Sequence, residues 1–231
     1  VTGKKTIISQ RQMVIVILAG PIPGIIIGMG LLFLTHYYPN DKIQMLGNIF
    51  LGLNFFNLLP FMPLDGGRLL ETLFINHNHT LRIVFTSISI LVLIALSLLL
   101  SSIFFLIIPI SMIFDIIMEV KNQKIREYLI QEKINYITDY STLADKDYWT
   151  IRDCIILSFN RRYKGLQAGV HQYSVIEGGL IQHVVAVLKT PIIKDLKIVG
   201  TLVAFFTFLF FLLLPIVYYF PKIMAALLLT R

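Results

Sequence analysis

Apolar and polar residues follow one another along this chain in long blocks. Residues 1–12 are polar and basic, with Lys4, Lys5 and Arg11. From Met13 to Leu34 the chain is apolar and long enough to cross a hydrocarbon core of ~30 Å. A short polar turn, 36–42, carries Tyr37 and Tyr38, which suit a membrane interface. The second apolar block runs from Ile43 to Leu64, and 66–82 reads as a polar connector. Residues 83–120 would make ~57 Å of helix at ~1.5 Å per residue. That is too long for one crossing, and Ser101-Ser102 near the middle predicts a hairpin of two helices, 84–100 and 103–120. Between 119 and 140, Ile125, Tyr128, Leu129, Ile130, Ile134 and Ile137 recur at three- and four-residue steps, the pattern of an amphipathic helix. Ser141 is the expected cap of the segment after it. Residues 141–190 mix charged and apolar positions, with a loop expected at Gly178-Gly179, and 198–220 is a final span with Pro215 as its kink point.

The pattern defines an all-α polytopic membrane protein of about five transmembrane helices with a broken second span. Residues 1–120 form a membrane core with spans near 13–34, 43–64, 84–100 and 103–120. Residues 121–197 form a small helical cytoplasmic or membrane-skimming region, and 198–231 a C-terminal span and tail. Composition agrees: of 231 residues, 56% are hydrophobic and 14% charged, against ~25% charged in a soluble domain. The single cysteine, Cys154, excludes an internal disulfide framework and a cysteine-cluster metal site. The net charge of +7 lies mostly between apolar blocks, where basic loops set membrane orientation. It therefore points to the lipid bilayer as partner and not to nucleic acid. The basic residues of 1–12, 66–82 and 121–197 share one side, the cytoplasm, only if 83–120 crosses twice.

Chemistry concentrates in Asn57-Leu-Leu-Pro60-Phe-Met-Pro63-Leu-Asp65-Gly66-Gly67-Arg68. A carboxylate at the hydrocarbon edge costs roughly 2.5–3.5 kcal/mol on insertion scales, which makes Asp65 a functional candidate by default. Pro60 and Pro63 remove amide donors and disfavour helix at the residues before them. The span should therefore unwind around Leu59–Met62, which is tolerated only beside protein or water. Gly66-Gly67 allows a turn or close backbone approach. Asn54 and Asn57 place amides in the same span. Ala19-Gly20-Pro21-Ile22-Pro23-Gly24 kinks the first span, and Gly28 and Gly30 let neighbouring helices come close. A carboxylate at a broken helix end can ligate a metal, relay a proton or ion, or pair with a base. Elsewhere, His36 reads as interfacial, His77 and His79 as a solvated loop, and His171 and His183 as structural. Nothing around Cys154 lowers a thiol pKa. Arg161, Arg162 and Lys164 read as a solvated or lipid-contacting face.

The Asn57–Pro60–Asp65–Gly66 spacing with its Leu-Asp-Gly-Gly-Arg ending resembles the second active-site motif of the site-2 protease family of zinc intramembrane metalloproteases. The turn at Gly20-Pro21 is similar to that family's Ala-Gly-Pro-Leu-Ala-Asn turn, with Gly24 where the family commonly has Asn. The resemblance covers residues 5 to 120. It implies that Asp65 is the third protein ligand of a catalytic zinc. Pro60 would open the site to water and substrate, and Asn57 would hold substrate backbone or oxyanion charge. Pro63, Gly66 and Gly67 would shape the surroundings. The implied reaction is zinc-dependent hydrolysis of peptide bonds in membrane-embedded protein substrates, near the cytoplasmic side. The family's other motif, His-Glu-x-x-His, supplies two ligands and the general base. None of His36, His77, His79, His171 or His183 is followed by Glu or paired with another histidine at four residues. This chain by itself is expected to be inactive: the C-terminal part of a longer product, or a degenerate homologue. A non-catalytic protein that binds a partner helix and a transporter are the competing classes.

Overall fold

Every regular element that residues 9–75, 78–101, 103–189 and 193–229 form is helical; these are the residues described by the structure, a computed structural model. The chain divides into two compact units, one made of Ser9–Met112 with the segment from Lys194 onward, the other of Ile113–Ile193.

In the first unit, α1 (Gln10–Ala19) starts at a capping box in which Ser9 and Gln12 satisfy each other's backbone amides. It stops at Gly20. Pro21 then opens α2 (Pro21–Tyr37), a position where proline loses no helical hydrogen bond. The first apolar block is thus two helices joined at the Gly-Pro step. Asn40 caps α3 (Asp41–Asn57) through Lys42 and Ile43 amides. Helices α2 and α3 pack closely where glycines remove side chains from their seam. A Cβ on Gly28 would come within 2.8 Å of the Leu51 amide, and one on Gly47 within 2.9 Å of the Leu32 side chain. Glycine lets the two backbones approach closely.

The expected polar connector 66–82 is mostly helical. Helix α4 (Asp65–Leu70) continues as a π-turn, Glu71–Ile75, and α5 (His79–Leu99) begins after the Asn78 cap. Leu69 and Leu73, four residues apart, lie in the core with Val14, Ile25, Leu51, Leu58 and Phe208. That apolar pair, spaced for one helix face, outweighed the charged residues around it. The buried Gln10 side chain donates to the Thr72 carbonyl in the π-turn, at 2.7 Å.

Beyond Ser101, which sits at φ 49, a 3₁₀ turn (Ile103–Leu106) leads into α6 (Ile107–Gln131). No helix break falls at 120: the apolar 107–118 and the start of the amphipathic stretch share one helix, because neither proline nor glycine interrupts it after Pro109. Helix α9 (Ile198–Leu229) stays helical through Pro215 and Pro221 and packs on α1, α2 and α3.

Among the described residues, three helical stretches are long and apolar enough to cross a membrane: Gln10–Tyr37, His79–Leu99 and Ile198–Pro221. They mark the chain as a membrane protein. Their outward residues include Ile26, Phe33, Leu91, Leu98, Phe206 and Phe210, all exposed. Helix α3 has 17 residues, and α6 carries Asp115, Glu119, Lys121 and Lys124 along its length.

The second unit surrounds a core of Ile125, Leu129, Ile151, Ile155, Leu180 and Val184. It is built from the polar half of α6, a 3₁₀ turn at Tyr140–Thr142, α7 (Asp145–Ser158) and α8 (Glu177–Val187). The amphipathic helix ends at Gln131, short of 140, and Lys133 comes next but one at φ 58. Ser141 caps nothing: its amide is held by Asp139, and Ala144 precedes α7. Gly178 and Gly179 lie inside the first turn of α8 and form no loop, because Glu177 anchors that turn. The buried Arg126 guanidinium donates to the carbonyls of Ala186 and Val187 at the end of α8, at 3.0 and 2.8 Å, and pairs with Glu119 at 2.7 Å.

Candidate active site

The proline-bearing stretch folds into a fixed loop. Helix α3 ends at Asn57, residues 58–64 are not helical, and helix resumes at Asp65. Buried backbone donors require partners, and each amide in this loop has one. Leu58 N–H donates to the Asn54 carbonyl, Leu59 to Phe56, Phe61 to Leu59 and Leu64 to Phe61. Pro60 and Pro63 have no amide to satisfy. Met62 N–H donates 3.1 Å to Ser89 Oγ, whose own hydroxyl donates to the Phe85 carbonyl at 2.9 Å. Ser89, fully buried on α5, is the external support of the loop.

Gly66 and Gly67 let this loop lie on the first turn of α4. A Cβ on Gly66 would run into the Leu58 and Leu59 carbonyls, and one on Gly67 into the Phe61 peptide. The double glycine therefore serves close approach; both residues are buried and helical.

Asp65 is the first residue of α4 and is half-buried. Its Oδ2 lies 3.4 Å from the point a Cβ would occupy on Gly20. The fold thus brings the carboxylate to the Gly-Pro step of the first span, 45 residues earlier in sequence. Among the described residues Asp65 has no hydrogen-bond or ion-pair partner. One helical turn along α2, the Asn54 carboxamide fills the space beside Gly24, and its Nδ2 donates to the Phe50 carbonyl at 2.7 Å.

Asn57 is exposed at the last residue of α3, and no hydrogen bond joins it to Asp65. The amide that meets α2 is Asn54. Its signal was in the sequence: Gly47, Leu51, Asn54 and Leu58 recur at four, three and four residues, so they share the seam face, and Asn57 lies off it. Ser89 gave no such signal, because its partner amide is freed only by the loop.

Among the described residues no group of three His, Cys, Asp or Glu side chains could share a metal ion. A catalytic zinc takes three protein ligands, and Asp65 alone offers one. His36 is exposed, His79 is the first residue of α5, and His77 lies outside the described residues.

The second unit holds a further set of buried ionisable groups, and Glu177, Arg152 and His183 among them are hydrogen-bonded. Glu177 accepts from Arg152 Nε at 2.9 Å, from the Tyr148 hydroxyl, and from Ser174 N and Oγ at 3.0 Å each. Burial pushes its carboxyl up, and these hydrogen bonds more than reverse that, taking it down to about 2. Arg152 also donates to the Val170 and Gln172 carbonyls. The imidazole of His183 lies between the Tyr163 hydroxyl at 3.0 Å and Asn122 Oδ1 at 3.2 Å. Burial, with the Arg162 charge, lowers it to about 4, so it is neutral. Burial raises the Cys154 thiol, with Asp153 adding to it. These groups hold the unit together.

No protein-family model, curated protein or solved structure matches this chain. The fold and the loop at Asp65 define a helical membrane protein in which a carboxylate without a described partner, beside a helix break, sits against a Gly-Pro kink.

Proposed function

We propose that this chain is the part of a zinc-dependent intramembrane endopeptidase that carries one metal ligand and the proline-broken span. In this reading Asp65 is the third ligand, and the His-Glu-x-x-His ligands and base are not among its residues. The observation that carries it is the meeting of Asp65 with Gly20, which joins the two stretches that resemble the site-2 protease family. Asn54 supports it further: it supplies from α3 an amide at the position beside Gly24, where the family commonly has Asn. The 58–64 loop, with its amides internally satisfied, holds Asp65 in place, and exposed Asn57 is available to a substrate backbone. Five crossings are proposed: the α1–α2 pair, α3, α5, 103–120 and α9. The site then lies near the cytoplasmic side, with 121–197 in the cytoplasm.

The test is cleavage of a membrane-anchored substrate by the full-length protein. Asp65→Ala should abolish it while leaving expression and folding intact; retained cleavage would remove Asp65 from the site.

A second reading has its own observation. The described residues lack a metal-ligand set, and an apolar cleft of about 270 Å³ opens between α3 and α9, lined by Leu51, Phe55, Pro215, Ile216 and Phe220. A non-catalytic membrane protein that seats a partner helix fits both. Partner capture unaffected by chelators, with no proteolysis, would favour it.

A further inference from the structure

The second unit carries an aromatic shelf that is rooted in its core at Tyr148 and exposed at its outer edge. Trp149 stacks on His171, with ring centroids 5.2 Å apart and planes at 18°, and lies 5.1 Å from Tyr173. Tyr148 joins it edge-on at 5.3 Å and links it to Tyr140 at 6.1 Å. Arg152, pinned by Glu177, sits 5.1 Å from the Trp149 ring. The strap 170–176 is fastened from below, because Arg152 holds the Val170 and Gln172 carbonyls and Asp153 accepts from the Gly169 amide at 2.9 Å. With its backbone anchored inward, the strap turns Tyr173 (71% exposed), Val175 (105%) and Ile176 (47%) outward.

We propose that this shelf rests in the interfacial layer of the bilayer in which the apolar helices of the same chain are embedded. The side chains match that layer: Trp and Tyr combine an apolar ring with a polar tip and collect at headgroup depth. Val175 and Ile176 supply the apolar contact between them. Chain continuity names the bilayer as occupant. From Ile193, at the end of this unit, to Ile198, the first residue of α9, there are five residues, which reach at most about 18 Å. The unit that carries the shelf is therefore tethered to a helix of membrane-spanning length and hydropathy. A peripheral element of this kind buries its apolar side ~5–10 Å into the headgroup and acyl boundary. Its place at the bilayer does not depend on the proteolytic reading.

Trp149 is the only tryptophan in the chain, so the full-length protein reports on the shelf without engineering. It is reconstituted into pure phosphatidylcholine vesicles with and without lipids brominated high in the acyl chain. The expected result is a fall in Trp149 emission of about two-fold in the brominated vesicles, with weak quenching by aqueous acrylamide, as for a ring at the depth given above. Because Trp149 is half-buried, the same measurement is made on Trp149→Phe/Tyr173→Trp, which places the reporter at the outer edge of the shelf. Bromolipid quenching of that variant supports the proposal. Emission unchanged by bromolipid and freely quenched by acrylamide in that variant overturns it, and leaves the shelf to a protein partner or to water.

Discussion

Asp65 and Glu177 are both the first residue of a helix, one in each unit, and their surroundings are opposite. Glu177 is buried and takes hydrogen bonds from Arg152, Tyr148 and Ser174, which hold its carboxyl at about 2. Asp65 is half-buried and, among the described residues, takes none. A carboxylate with every lone pair occupied is part of the scaffold; one placed by a rigid loop and left open is available for chemistry. The units differ in the same sense. The one containing Asp65 joins helices through glycine, while the one containing Glu177 packs a core of apolar side chains beside paired charges.

The widest separation of the two carboxylates comes from removing each. Glu177→Ala leaves buried Arg152 with only Asp153, at 3.8 Å, as a counter-charge, and losing the main partner of a buried pair costs about 3–5 kcal/mol. The second unit should unfold early in a denaturant titration followed by Trp149 fluorescence. Asp65→Ala should change stability by no more than about 0.5 kcal/mol. Equal losses would erase the distinction. Acid gives the same contrast in the wild type. The folded-state pKa of Glu177 is depressed below its ordinary 4.5, so its contribution is complete above that value and is lost as pH falls from 4.5 towards about 2. His183 acts in the same direction at higher pH. Depressed from 6.5 to about 4, it removes stability as pH drops through that window, because the unfolded chain takes up the proton first.

A smaller effect sharpens the role of glycine in the membrane-type unit. Gly66→Ala drives a methyl into the Leu58 carbonyl and should cost about 1–3 kcal/mol by overpacking. Gly30→Ala, on a helical face where a Cβ meets nothing within 4 Å, should be neutral or stabilising by about 0.5–1 kcal/mol. Thermal unfolding in detergent compares the two, and similar losses would mean that the loop does not rest on α4. The smallest effect is that of Tyr219→Phe. Its hydroxyl donates to Asn48 Oδ1 at 2.6 Å between α9 and α3. Polar contacts between membrane helices average about 0.6 kcal/mol, so the midpoint should move only slightly.

How legible is the site? Asp65, the proline break and the double glycine can be picked out in the sequence, because each is a local exception: a charge, two missing donors and two missing side chains within an apolar block. Motif spacing points to Asn57, yet the amide in the α2–α3 seam is Asn54, since helical phase and not motif position decides which side chain faces a neighbour. The stretch 66–82 looks like a polar connector because its charges are conspicuous, whereas Leu69 and Leu73 acquire meaning only when a core stands beside them.

Helical character and a build suited to a membrane are already decided in the chain itself, because block hydropathy and the spacing of apolar residues need no tertiary contact to be read. The places where helix must fail are decided there too, since proline's missing amide acts locally. It took folding to bring Asp65 to Gly20 without a described partner, to hand the Met62 amide to Ser89, and to draw Glu177 into a network with Arg152. These depend on approach between residues 25 or more apart, where pairing is set by packing and by the demand that each buried donor find an acceptor.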